Sequence, residues 1–168
     1  MKLLLVRHGP AEDRVAWRAL GKDDASRPLT ADGRERTRAA MKGLSRLVDP
    51  PVVIATSPFV RAVETAGELA RALRSGAPEE LPAIAPVGQP VGVVSWLATR
   101  GDVDLVALVG HEPQLGRLAC WLLARVEEPF LGLKKGGACL LDLGERPRAG
   151  GARLVWMLAP SELRRLGR

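Results

Sequence analysis

The chain has 168 residues, which is enough for one domain with a well-formed core and too few to divide comfortably into two. Hydrophobic residues make up 46% of it, close to the globular norm, so a largely disordered protein is excluded. The formal net charge of +6 favours acidic partners, but the basic residues are scattered and the aromatic residues are few, which argues against specific nucleic-acid binding. We therefore predict a single domain that spans residues 1–168.

The sequence contains no stretch that resembles a signal peptide or a membrane span. The apolar run Leu3–Val6 ends at Arg7, and no other run approaches the ~18 uninterrupted apolar residues that a bilayer requires. Cys120 and Cys139 have no Cys or His nearby at metal-ligand spacing, so both are predicted to be buried thiols. We expect a cytoplasmic protein that needs no metal or other cofactor and does not associate with membranes.

The predicted elements alternate between strands and helices. Apolar runs predict strands at 2–6, 52–56, 104–109, 138–143 and 152–158. Helical periodicity predicts helices at 30–48, 58–74, 90–99, 113–126 and 161–166. This order predicts an α/β fold, a three-layer α/β/α sandwich whose central sheet is mainly parallel. The last two strands flank a short Gly/Pro/Arg-rich connection, so we expect them to form an antiparallel hairpin at the C-terminal edge of the sheet.

Two connections and two helix starts complete this outline. Residues 10–29 are predicted to form a long loop beside the site, and residues 75–92 a second loop with a short extended piece at 83–85. Thr30 is the predicted N-cap of one helix, and Ser57 followed by Pro58 that of the next.

Three of the predicted strands lead into residues that can carry chemistry. The first ends in Arg7-His8-Gly9, the second leads to Arg61 in the first turn of a helix, and the third ends before His111. Because the carboxyl ends of parallel strands meet at one edge, these side chains are expected to converge. Two guanidiniums, two imidazoles and a helix N-terminus predict an oxyanion site, with phosphate as the best match for arginine.

The residue types suggest a division of labour in phosphoryl transfer. Arg7, Arg61 and a protonated His111 would meet the charge on the transferred phosphoryl oxygens. His8 would attack phosphorus and form a phosphohistidine intermediate, which water would then hydrolyse. Gly9 would let the backbone approach the phosphate.

Each of these residues also has an ordinary structural explanation. Arg7 alone fits a surface charge, His8 a loop histidine, Arg61 a solvated helix residue, and His111 a cap for the following helix. The shared site is favoured because all four residues stand at the same kind of strand end.

The chain resembles the histidine phosphatase superfamily, and more closely its SixA-like branch of protein phosphohistidine phosphatases. The matching segments, in family order, are Leu5-Val6-Arg7-His8-Gly9, Arg27-Pro28-Leu29-Thr30-Ala31-Asp32-Gly33, Thr56-Ser57-Pro58-Phe59-Val60-Arg61-Ala62-Val63-Glu64-Thr65-Ala66 and Val109-Gly110-His111-Glu112-Pro113. The resemblance implies a three-layer α/β/α fold, phosphorylation of His8, phosphate contacts from Arg7, Arg61 and His111, and no metal.

One departure from the family pattern concerns the acid that protonates the leaving group. The segment that carries it in many relatives matches residues 81–86 here, which include Ala83 and no carboxylate. Glu79 and Glu80 are most simply solvated loop residues. Glu112 is a candidate acid, although stabilisation of a helix N-terminus is the simpler explanation for it. Because phosphohistidine leaves more readily than an alkoxide, the missing acid favours a phosphoramidate substrate.

The predicted function is therefore metal-independent hydrolysis of phosphohistidine on a protein. A phosphatase for a small substrate, such as a nucleotide, sugar phosphate or cofactor precursor, is an alternative. A catalytically weak phosphate-binding module is another. Asp24 and Arg27, in the first loop, would either position substrate or hold the loop through a salt bridge, and the second role is favoured.

Overall fold

The computed structural model describes residues 1–50, 52–101 and 103–168 and contains one six-stranded sheet. Its strands are β1 (Lys2–Arg7), β2 (Val53–Thr56), β3 (Glu79–Glu80), β4 (Leu105–Gly110), β5 (Ala138–Asp142) and β6 (Arg153–Leu158). The order across the sheet is β3-β2-β4-β1-β5-β6. Strands β3, β2, β4 and β1 pair parallel, whereas β5 pairs antiparallel with both β1 and β6. The predicted α/β fold with an antiparallel C-terminal edge is confirmed.

Helices cover both faces of the sheet. They are α1 (Arg14–Ala19), α2 (Ala31–Leu44), α3 (Val60–Leu73), α4 (Pro90–Ala98), α5 (Gln114–Ala124) and α6 (Pro160–Leu166). One core cluster joins the sheet to α2, α3 and α6, and the other joins it to α4 and α5. None of the helices in the described residues is long and apolar enough to cross a membrane.

The position of β1 in the sheet explains why its sequence is a continuous apolar run. Leu4 and Val6 belong to the first core cluster, while Leu3 and Leu5 belong to the second. A strand covered by helices on both faces needs apolar residues at every position.

The register of the parallel strands places the predicted site residues at one edge. Arg7 lies opposite Gly110, and Thr56 lies opposite Val109, so the three strands end at the same level. The backbone N–H of His8 donates to the carbonyl of Gly110, which extends the pairing of β1 and β4 by one residue. His8 and His111 therefore follow directly on paired strand ends.

The first connection, residues 10–29, is more structured than predicted. Asp13 accepts hydrogen bonds from the backbone N–H groups of Val15 and Ala16, and this N-cap starts the short helix α1. A 3₁₀ turn follows at Asp24–Ser26. Thr30 caps α2 as predicted, because its hydroxyl accepts the N–H of Gly33.

The second connection and the start of α3 also differ from prediction. The extended piece lies at Glu79–Glu80 as strand β3, whereas 82–84 form a 3₁₀ turn that begins at Pro82. Glu79 forms an ion pair with Arg100 instead of standing free in solvent. Helix α3 begins at Val60 with Phe59 as its N-cap residue, so Ser57 is not the cap.

Candidate active site

His8 is held at the end of β1 with one ring nitrogen already occupied. It is 5% exposed, and its Nδ1 lies 2.7 Å from the carbonyl oxygen of Gly9. Because a carbonyl only accepts, Nδ1 carries the proton and donates it in this contact. The lone pair of the neutral ring is therefore on Nε2.

The ring of His111 lies beside that of His8, with 5.0 Å between the ring centroids. Its Nε2 is 2.8 Å from the hydroxyl oxygen of Ser57, and both residues are buried. The ring of Phe59 packs edge-on against His111 at 5.1 Å. The segment between β2 and α3 thus holds His111 in place, which the sequence analysis did not anticipate.

Arg61 is fixed by Asp24 from the first connection. Its guanidinium is almost fully buried and donates from Nη1 to the backbone oxygen of Asp24 at 2.7 Å and from Nη2 to the carboxylate at 3.0 Å. Arg27 donates from Nε to the other carboxylate oxygen at 2.9 Å. The predicted salt bridge between Asp24 and Arg27 is present, and Arg61 shares the same carboxylate.

Arg7 is linked to Glu112 through the peptide group of Leu133. Nη1 of Arg7 donates to the carbonyl of Leu133 at 2.7 Å, and the N–H of Leu133 donates to Oε1 of Glu112 at 2.7 Å. The second carboxylate oxygen accepts the N–H of Gly116 in α5. Both oxygens of Glu112 are thus used to hold backbone, and the residue lies beside Arg7 at an open cavity of about 490 Å³.

Gly9 lies in a tight space that a larger residue cannot share. A Cβ atom at this position would come within 1.9 Å of the Thr37 hydroxyl oxygen. The N–H of Gly9 donates to the hydroxyl of Thr65, which in turn donates to the carbonyl of Arg61. Thr65 thereby ties the turn after β1 to the first turns of α3.

Three nitrogens of the predicted site residues are buried without a hydrogen-bond partner among the described residues. They are Nε of Arg7, Nε of Arg61 and Nδ1 of His111. Unpartnered buried donors are costly and uncommon in folded proteins, and a ligand that supplies acceptors would remove this cost.

Burial controls the protonation of both histidines. Burial, with help from the nearby Arg7 and Arg61 charges, lowers the pKa of His8 to about 3 despite the opposing effect of its bond to Gly9. Burial and Arg61 likewise lower the pKa of His111 to about 3. Without a bound anion His111 is therefore neutral, because the same positive charges that attract an anion also disfavour a second cation. A protonated His111 facing a phosphoryl group stays a prediction, since the charge of that group would raise the pKa.

The structure brings together His8, Arg7, Arg61, His111 and Gly9, and it adds Ser57 and Asp24 as their polar partners. Glu112 joins the site only through Arg7 and the backbone of 133. Within residues 1–50, 52–101 and 103–168, no group of three or more His, Cys, Asp or Glu side chains is arranged to hold a metal ion.

Comparisons with known proteins agree with this architecture. The model of the histidine phosphatase superfamily (branch 1) matches residues 3–85. An uncharacterised protein of Picosynechococcus sp. is 36% identical over 147 residues, which cover 86% of each chain. The phosphohistidine phosphatase SixA of Escherichia coli is 27% identical over 168 residues and covers 98% of this chain and 97% of its own.

Among solved structures, the protein histidine phosphatase SixA complexed with tungstate superposes with a TM-score of 0.80 and 27% identity. That superposition covers 97% of this chain and 99% of the other. The chain therefore belongs to the histidine phosphatase superfamily, as a phosphatase of its SixA-like branch.

Proposed function

We propose that this phosphatase hydrolyses phosphohistidine on proteins through a covalent intermediate on His8. The observation that carries the proposal is the hydrogen bond from Nδ1 of His8 to the carbonyl of Gly9. It orients the ring and leaves the nucleophilic lone pair on Nε2. The pKa of about 3 keeps His8 neutral, hence nucleophilic, at physiological pH.

The phosphoryl group would be held by the cations around His8. Arg7 and Arg61 are positively charged, and His111 retains one N–H as a donor when neutral. A dianionic phosphoryl group would supply acceptors for the three buried nitrogens that have none in the protein. Fixed donors of this kind stabilise the charge on the equatorial oxygens during transfer.

The reaction then divides into two displacements. In the first, Nε2 of His8 bonds to phosphorus while the bond between phosphorus and the substrate imidazole breaks. The substrate ring is protonated on its other nitrogen, takes the electron pair and leaves as neutral imidazole. In the second, water bonds to phosphorus, the bond to Nε2 breaks, and inorganic phosphate is released with the water proton passing to solvent. His8 ends as the neutral imidazole with which it began.

The carboxylates near the site favour a phosphoramidate over an ester. Burial raises the pKa of Asp24, but the hydrogen bond from Arg27 and the charge of Arg61 outweigh this and leave the pKa below its ordinary value, so Asp24 remains ionised. Glu112 uses both oxygens to accept backbone N–H groups. Ala83 stands in the 82–84 turn, where many relatives place their acid. An imidazole leaving group, unlike an alkoxide, needs little protonation.

The test compares substrates and variants in the presence of a chelator. The phosphohistidine of a phosphorylated phosphocarrier protein should be hydrolysed with a higher kcat/KM than nucleotides or sugar phosphates. His8→Ala should abolish turnover, and rapid quenching of the unmodified enzyme should trap acid-labile phosphate on His8. Arg61→Ala should lower kcat/KM by about 100-fold or more, whereas Arg36→Ala, an exposed arginine of α2, should leave it unchanged.

Two alternatives make different predictions in the same assays. Strong preference for a small phosphate ester would identify a small-molecule phosphatase and refute the protein substrate. Phosphate binding without turnover of any substrate, and without phosphate on His8, would identify a binding module and refute the mechanism.

A further inference from the structure

Helix α1 contributes almost nothing to the core of the protein. None of its residues is buried, and the apolar side chains of Val15 within it and of Leu20 at its C-cap are 77% and 66% exposed. Trp17 is its one half-buried residue and donates from Nε1 to the backbone oxygen of Asp23, so the rest of the helix surface faces solvent. Its solvent-facing surface is therefore a candidate for contact with another molecule.

The same segment gathers positive charge around a small depression. Arg14, Arg18 and Lys22 line a cavity of about 150 Å³ together with Trp17 and the two aspartates at 23 and 24. The Nζ atom of Lys22 lies 4.2 Å from the centre of the Trp17 ring, a cation–π contact that orients the lysine.

The aspartates nearby are occupied by their own partners. Asp13 caps α1, and Asp23 caps the 3₁₀ turn that follows it. Asp24 is shared by Arg61 and Arg27, with Arg14 at 3.5 Å. Among the described residues, no carboxylate forms an ion pair with Arg18 or Lys22, and both are exposed. Arg18 and Lys22 therefore lack an ion-pair partner in this part of the structure and can contact an anion.

This surface lies next to the phosphate site. Asp24 contacts Arg14 with one carboxylate oxygen and Arg61 with the other. A single side chain therefore separates the guanidinium of the site from the first cation of α1. Arg18 follows Arg14 by four residues on the same helix, so it lies about 6 Å farther along the helix axis.

We propose that Arg14, Arg18 and Lys22 form a docking surface for acidic side chains on the partner protein that carries the phosphohistidine. The proposal rests on the proposed function and specifies the substrate class: a phosphoprotein with carboxylates beside its phosphorylated histidine. Val15 and Leu20 would contact apolar atoms of the same partner. Charge complementarity of this kind raises the rate of productive encounter and sets the orientation of the partner.

The experiment uses the intact protein and two phosphohistidine peptides. In one peptide glutamates flank the phosphohistidine, and in the other glutamines replace them. We expect the wild-type protein to hydrolyse the acidic peptide with a kcat/KM about tenfold higher at low salt, and the ratio to fall towards one at high salt. Arg18→Glu combined with Lys22→Glu should reduce the ratio to about one or below at low salt.

The matched control reverses two other exposed cations, Lys42 in the last turn of α2 and Arg46 two residues after its end. This control changes the net charge equally and should retain the preference of about tenfold. A wild-type ratio near one, or equal losses in both double variants, would overturn the docking surface. If the hydrolysis of a small bisphosphate, and not that of the acidic peptide, depends on Arg18 and Lys22, the proposal of a protein partner is wrong.

Failure of the proposed function looks different from failure of the docking surface. If the proposed function is wrong, the wild-type protein would hydrolyse neither peptide while still cleaving a small phosphate ester. Hydrolysis of both peptides at equal rates would leave the proposed function intact and refute the docking surface alone.

Discussion

Replacing Asp24 with asparagine tests whether one carboxylate holds the arginine of the phosphate site. The substitution keeps the shape of the side chain and removes its charge. In the structure, Oδ1 accepts from Arg27 at 2.9 Å and Oδ2 from Arg61 at 3.0 Å. Asparagine has one acceptor oxygen, so it can keep only one of these two hydrogen bonds.

The magnitude follows from the burial of the arginines. Arg61 and Arg27 are 4% and 7% exposed, and the Asp24 side chain is 26% exposed. A hydrogen bond between charged groups contributes about 1.5–3 kcal/mol, so Asp24→Asn should lower the free energy of unfolding by about 2 kcal/mol. Asp24→Ala leaves both buried guanidiniums without the carboxylate and should cost about 4 kcal/mol. For a chain of this size, 2 kcal/mol corresponds to a decrease in Tm of about 4–8 °C.

The effect should depend on pH in a defined direction. The folded-state pKa of Asp24 lies below its ordinary value, because the contacts with Arg27 and Arg61 outweigh the effect of burial. The stabilisation is therefore fully present above the unfolded pKa of about 3.9 and is lost as pH falls through the folded pKa. Urea unfolding at pH 7 should separate the wild-type protein from Asp24→Asn, and the difference should shrink in acid.

Asp32→Asn is the matched control for this experiment. Asp32 pairs with Arg36 on α2, but these side chains are 63% and 56% exposed, so the loss should be below about 1 kcal/mol. Activity provides a second measurement, since a loosened Arg61 should lower kcat/KM for every substrate. Equal unfolding midpoints for Asp24→Asn and Asp32→Asn, with unchanged kcat/KM, would refute the role assigned to Asp24.

Three further substitutions test other contacts of the site. Ser57→Ala should lower kcat by about 10- to 100-fold, because it removes the buried partner of His111; unchanged steady-state kinetics would contradict this. Gly9→Ala should destabilise the fold by about 1–3 kcal/mol through its clash with Thr37, measured as a lower urea midpoint, and a Thr37→Ser background should not relieve it. Glu112→Gln should leave kcat for phosphohistidine within about threefold of wild type across pH, whereas a large loss of kcat together with loss of the alkaline limb of the pH profile would identify Glu112 as a proton donor.

The strand ends and their reactive residues were predictable because they depend on local patterns. The four apolar residues before Arg7-His8-Gly9 predict a strand buried on both faces, as does the run before His111, and the structure buries both runs. Once the sheet is parallel, its geometry brings the ends together without further information. The helix bearing Arg61 is predictable from its periodicity, although the predicted start at 58 lies two residues before the observed start at Val60.

The polar partners of the site were not predictable, because they depend on contacts between distant segments. Asp24 reaches Arg61 from 37 residues away, and Ser57 reaches His111 across 54. Ser57 also matches the local signature of an N-cap, but in the structure its hydroxyl contacts His111 and does not cap the helix. The short helix α1 was not predictable because it has no apolar periodicity. Its capping aspartate is the one local signal that marks its start.

In the proposed mechanism, the hydrogen bond between His8 and Gly9 would also determine which isomer of phosphohistidine the enzyme forms on itself. With Nδ1 bound to the Gly9 carbonyl, phosphorylation would occur on Nε2 and yield the tele isomer, not the pros isomer. The phosphorylated enzyme should therefore react with an antibody against tele-phosphohistidine, whatever isomer its protein substrate carries.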